Sequence, residues 1–137
     1  MDGFVLAATG AALLVAAGSA RADFAVSVRT VHLRNDPHVV LVVGEYRCDP
    51  MDPPAVTGAI DLTVARGEGD ERVNGFGFLF PRRCDGRRKH WRAEVTTFGA
   101  APYGRGPAEL LTSGYACNAE NECVTLGAAT EPLRINR

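Results

Sequence analysis

From residue 24 onward the chain is built from short apolar or alternating runs, and each is cut by Gly, Pro, Asn or Asp before it reaches the length of a helix. Phe24–Leu33 ("FAVSVRTVHL") places Val26 and Val28 on one face, and "NDP" at 35–37 reads as a turn. His38–Cys48 ("HVVLVVGEYRC") is the strongest run. Val40, Val42, Tyr46 and Cys48 share one face and Val39, Leu41 and Val43 the other, the pattern of a strand flanked on both sides. "DPMDPP" is a loop, because neither a helix nor a central strand absorbs that much proline. Thr57–Arg66 alternates with Ile60, Leu62 and Val64 inward, and "GEGDE" follows as a hairpin turn. In Val73–Phe80, Phe76, Phe78 and Phe80 lie on one face and Gly75 and Gly77 on the other; the favoured reading packs the phenylalanines into the core, the alternative lines a pocket with them. Pro81 then kinks the chain before Cys84.

His90–Thr97 alternates Trp91, Ala93 and Val95 against His90, Arg92 and Glu94, and "FGAAPYGRGPA" reads as a long loop. Glu109–Cys117 and Glu122–Leu126 form a hairpin around "NAENE", and Leu133–Ile135 adds an edge. Seven to eight strands at this spacing predict an all-β, immunoglobulin-like antiparallel sandwich occupying residues 23–137 as one domain.

The first 22 residues are of a different kind. An apolar stretch from Phe4 to Ala17 ends in Ala20-Arg21-Ala22, the pattern of a secretory signal peptide cut before Asp23, although no Lys or Arg precedes the stretch. Secretion or residence in the cell envelope is therefore expected, with an uncleaved anchor as the alternative. Removing residues 1–22 takes away Asp2 and Arg21 and leaves the net charge at −1, which does not suit a general polyanion binder. The four cysteines, Cys48, Cys84, Cys117 and Cys123, are an even set in an exported chain, so two disulfides are expected. Cys117 and Cys123 flank a hairpin tip. Pairing them leaves Cys48 to join Cys84. The rival pairing, Cys84 with Cys117 and Cys48 with Cys123, follows the antibody order of Cys, Trp and Tyr-x-Cys but brings Trp91 too close to Cys117.

"YRC" at 46–48, "CDGRRKHW" at 84–91, a Gly-Pro-Ala segment and "CNAENEC" at 117–123 resemble a group of small secreted bacterial immunoglobulin-like β-sandwich domains. Those carry Tyr-x-Cys, Cys-Asp-Gly-x-x-His-x-Trp and a close C-terminal cysteine pair. The likeness spans nearly the whole chain after the signal and departs by one residue, since His90 directly precedes Trp91. It implies a fold and an export route but no activity and no catalytic residue. A more distant architectural analogy is to the antitumour chromoprotein apoproteins, which bind an apolar ligand.

"CDGRRKHWRAEV" is the densest chemical stretch. Asp85-Gly86 signals a tight turn, and Trp91 is expected in the core over the Cys48–Cys84 bridge. Arg82, Arg83, Arg87, Arg88, Lys89 and Arg92 crowd around that turn. They either face water or form an anion-binding patch for a cell-envelope polymer. Nucleic acid is not an expected partner, because one tryptophan alone interleaves the basic residues. His32, His38 and His90 are scattered without metal spacing, and "NAENE" lacks the alternation and glycine of a calcium loop. Ser113 has no evident base, and Asp49 and Asp52 sit in the proline loop. The expectation is a non-enzymatic binding or adhesion domain without cofactor or metal, meeting an anionic envelope polymer or another surface protein. The alternatives are a carrier with an apolar cleft, or a small hydrolase or inhibitor. A carrier requires an open apolar interior, and a surface binder a filled one.

Overall fold

A computed structural model describes residues 24–81 and 83–136; the expected signal peptide and Arg82 lie outside them. Seven strands make up most of the described residues: β1 (Phe24–Leu33), β2 (Val39–Cys48), β3 (Ala55–Arg66), β4 (Val73–Leu79), β5 (Lys89–Thr97), β6 (Gly106–Asn118) and β7 (Cys123–Asn136). A single 3-10 turn, Gly69–Glu71, sits within the expected β3–β4 turn.

Hydrogen-bonded neighbours run β1-β2-β5-β4-β3-β6-β7, and the ladder closes into a barrel. Closure differs from two separate sheets, and it depends on two short seams. β4 meets β5 through Gly75 with Thr97 and Phe76 with Thr96. β1 meets β7 in parallel through Val31 with Ile135 and His32 with Asn136. The remaining pairings are antiparallel and longer. β2 is flanked by β1 and β5, as its two apolar faces suggest. The two C-terminal runs expected as separate strands are one strand, β7, and a register shift between Thr112 and Gly114 of β6 absorbs the irregularity.

Alternation decides which side chains fill the barrel. Val40, Val42, Tyr46 and Cys48 of β2 point in, with Ile60, Leu62 and Val64 of β3, Trp91 and Val95 of β5, and Leu110 and Ala116 of β6. Val40, Val42, Ile60, Leu62, Val64 and Val95 are fully shielded from solvent. Trp91 lies opposite Gly44 of β2, and a Cβ on Gly44 would meet the indole Cζ2 at 2.7 Å. A side chain there is incompatible with the ring, so the glycine makes room for the tryptophan.

β4 does not follow the favoured reading of the phenylalanines. Its inward positions are Gly75 and Gly77, and Phe76, Phe78 and Phe80 project outward with 41%, 52% and 62% of their surface exposed. The cause is the close approach of β4 to β5. A Cβ on Gly77 would lie 2.5 Å from the Glu94 carbonyl oxygen, and one on Gly75 would run into the Tyr103 hydroxyl and the Thr96 carbonyl. Tyr103 fills the space beneath β4, donating a hydrogen bond of 2.8 Å from its hydroxyl to the Val64 carbonyl. At the two inner positions between Val73 and Leu79 only glycine fits, so the phenylalanines take the outer face.

Candidate binding surfaces

The disulfides are Cys48–Cys84 and Cys117–Cys123, the favoured pairing. The first ties the end of β2 to the segment leaving β4. Between Cys84 and β5 the chain makes the predicted turn: Gly86 has φ +81°, the Asp85 carboxylate accepts the Arg87 N–H at 3.0 Å, and the Gly86 N–H donates to the Cys48 carbonyl at 2.9 Å. Arg47 Nε donates to the Gly86 carbonyl at 2.9 Å, closing the turn onto β2. Trp91 is 7% exposed and belongs to the same core cluster as Cys48, as expected. Its Nε1 is buried without a hydrogen-bond partner.

The basic residues of this turn do not act as a block. Lys89 is held by Asp85 at 2.7 Å, which also lowers the Asp85 pKa, with the Arg87 N–H as the second cause. Arg88 reaches Glu45 at 3.8 Å. Glu45, well covered on the outer face of β2, also meets His90 at 3.4 Å and Arg29 of β1 at 3.7 Å. Arg83, Arg87 and Arg92 are exposed and form no ion pair among the described residues, while Arg82 lies outside them. The outer surface of β1, β2 and β5 is thus a lattice of mixed charge, with Arg92 exposed on β5 and Arg83 and Arg87 exposed on the segment before it.

The opposite side of the barrel is built differently. The rings of Phe76 and Phe78 are 6.1 Å apart and tilted by 39°, and those of Phe78 and Phe80 are 5.2 Å apart, edge to face. Cross-strand rows extend this ladder outward. Phe76 lies beside Thr63 and then Leu111, Phe78 beside Asp61 and then Ser113, and Ala59 beside Tyr115. Leu111 and Tyr115 are exposed as well. Asp61 is the one charged residue across segments 59–63, 76–80 and 111–115. Exposed apolar side chains scattered singly are ordinary, but five of them, four aromatic, in neighbouring rows of one sheet are of the kind that marks an interaction surface.

Sequence reasoning placed these phenylalanines on one face and chose the wrong side of it. The signal was present in Gly75 and Gly77: two successive glycines on one strand face mark a place where another backbone approaches closely.

The other candidates have structural roles or stay apart. In "NAENE" the Asn118 side-chain oxygen accepts the N–H groups of Glu120 and Glu122 at 3.0 Å each, and its amide donates to the Glu122 carboxylate at 2.9 Å. The buried asparagine therefore organises this loop itself. His32, His38 and His90 do not converge, and no group of three His, Cys, Asp or Glu among the described residues has metal-holding geometry. No helix among the described residues is long and apolar enough to cross a membrane. Two disulfides are consistent with an extracellular location. Comparison of the chain with protein-family models, curated proteins and solved structures finds no match.

Proposed function

We propose that this protein is a secreted, non-enzymatic binding domain of the cell envelope that holds a partner protein against the outer face of β4, β3 and β6. The observation that carries the reading is the outward phenylalanine ladder. Exposing three aromatic rings along β4 and the residue after it is unfavourable in water unless something covers them. The partner surface is apolar and brings a basic side chain, because Asp61 beside Phe78 is the ladder's only charge. The tilted rings present no flat platform for a sugar chain and suit interdigitating side chains.

The filled barrel supports a surface binder over a carrier, since side chains occupy the interior where a ligand would lie. The ladder order also supports an immunoglobulin-like relationship: β1-β2-β5 and β4-β3-β6-β7 correspond to the two sheets of such a sandwich, joined at the short seams. It accords with the likeness to small secreted bacterial domains read from the cysteine and tryptophan motifs.

A second reading is favoured by the free arginines. Arg83, Arg87 and Arg92 offer an anionic envelope polymer three exposed guanidinium groups that form no ion pair among the described residues. Photo-crosslinking distinguishes the two. A benzophenone side chain at position 78 is expected to capture an envelope protein that the same group at position 87 does not. Capture only from position 87 places the contact at the basic turn instead.

A further inference from the structure

His38 stands just before β2, and both of its ring nitrogens face acceptors. Nδ1 is 2.9 Å from the Asp36 carboxylate, and Nε2 is 2.8 Å from the Ala100 carbonyl oxygen, 62 residues away in the β5–β6 loop. A carbonyl oxygen offers no proton and neither does an ionised carboxylate, so both contacts are hydrogen bonds only when both nitrogens carry hydrogen. A neutral ring satisfies one and turns a lone pair toward the other. From this we infer that His38 is a proton-operated clamp on residues 98–102, closed by the imidazolium and opened when the ring loses a proton.

The surroundings make the clamp local. The far end of the same loop is fixed by Arg66, whose guanidinium donates to the carbonyls of Gly104 at 3.0 Å, Arg105 at 2.6 Å and Pro107 at 3.2 Å. Between the two anchors the Tyr103 N–H donates to the Pro37 carbonyl at 2.8 Å, and at the end of β5, before the clamped stretch, the Thr97 N–H donates to the His38 carbonyl at 2.9 Å. Opening the clamp frees the stretch containing Gly99, around which there is open space, and Phe98, whose ring is exposed and whose N–H donates to the Asn74 carbonyl at the start of the ladder strand.

Asp36 on the same turn is the anion facing the ring. Of the cations nearby, Arg34 is turned to Glu94 at 3.6 Å, and Arg105 lines the hollow beside Pro37. The Ala100 carbonyl, and after it the Asp36 carboxylate, raise the His38 pKa above the ordinary 6.5. The His38 backbone N–H, and after it the ring, lower that of Asp36 below 3.8. With the histidine raised, the clamp is fully formed below pH 6.5 and is lost as pH rises through the raised value. With the aspartate lowered, it is present above pH 3.8 and fails as pH falls through the lowered value.

Amide hydrogen exchange read against pH tests this, together with ring 15N shifts. Between pH 5 and pH 9, protection of residues 98–103, corrected for intrinsic exchange, is expected to fall several-fold as His38 loses its proton, while protection of Leu62 does not change. The same loop is expected to lose its pH dependence in His38→Gln. In Asp36→Asn the transition is expected to move to lower pH, which keeps the inference testable if the glutamine variant is poorly folded. Loop protection independent of pH in the wild type, a His38→Gln variant with the wild-type pH dependence, or an unmoved transition in Asp36→Asn overturns it.

Discussion

A methyl group at residue 77 would press on the Glu94 carbonyl from 2.5 Å and on the Val95 side chain from 3.0 Å, and backbone does not yield to it cheaply. Gly77→Ala is therefore expected to cost about 1–3 kcal/mol, the usual penalty of overpacking, and to lower the urea midpoint without changing the slope. Phe78→Ser, one residue away on the solvent side, is expected to change stability by no more than about 0.5 kcal/mol. Equal costs at both positions would mean that β4 does not present its aromatic face outward. Trp91 makes the complementary case. Its ring lies in the barrel over Gly44, so Trp91→Ala is expected to cost about 3–5 kcal/mol, and the native indole should emit at short wavelength and resist iodide quenching. Emission at long wavelength, readily quenched, would put the ring in water. Trp91 was legible in the sequence because its neighbours alternate apolar with charged. The side taken by the phenylalanines was harder to read, because alternation with glycine carries no contrast of polarity and the approach of β5 and Tyr103 decides it.

Among the elements, the two disulfides close loops of very different size. Chain-entropy reasoning assigns about 4 kcal/mol to the bridge spanning 36 residues and about 2 kcal/mol to the one spanning 6. Removing Cys48–Cys84 by paired alanine substitution is expected to lower the melting temperature clearly more than removing Cys117–Cys123. The reverse order would mean that the β6–β7 hairpin governs stability. Strand positions of β1, β2, β3 and β5 followed directly from alternation and turn residues. β7 did not, because Gly127 and Pro132 break the apolar pattern on a strand largely exposed along its length, where no core enforces alternation. Barrel closure was equally hidden, since each seam consists of only two residue pairs, and the β1–β7 seam joins the two ends of the described chain. The basic turn was located correctly by sequence. Its partial neutralisation was not, because Glu45 reaches Arg88 from a strand distant in the sequence.

Seen as a whole molecule, the barrel has one outer face of interlocked charges and another with a phenylalanine ladder marked by a single carboxylate, while its interior is full. This division underlies the proposal that it binds a protein by its aromatic side. The comparison that tests it most directly is binding of the purified domain to envelope proteins, measured for wild type, Phe78→Ser, and the double variant Arg87→Glu with Arg88→Glu, at 0.1 M and 1 M salt. The Debye length falls from about 10 Å to about 3 Å over that range, so a charge-driven contact weakens and an apolar one does not. Binding that survives high salt and the charge reversal but is lost in Phe78→Ser is the predicted result. Binding retained by Phe78→Ser and abolished by salt or by the charge reversal would contradict it.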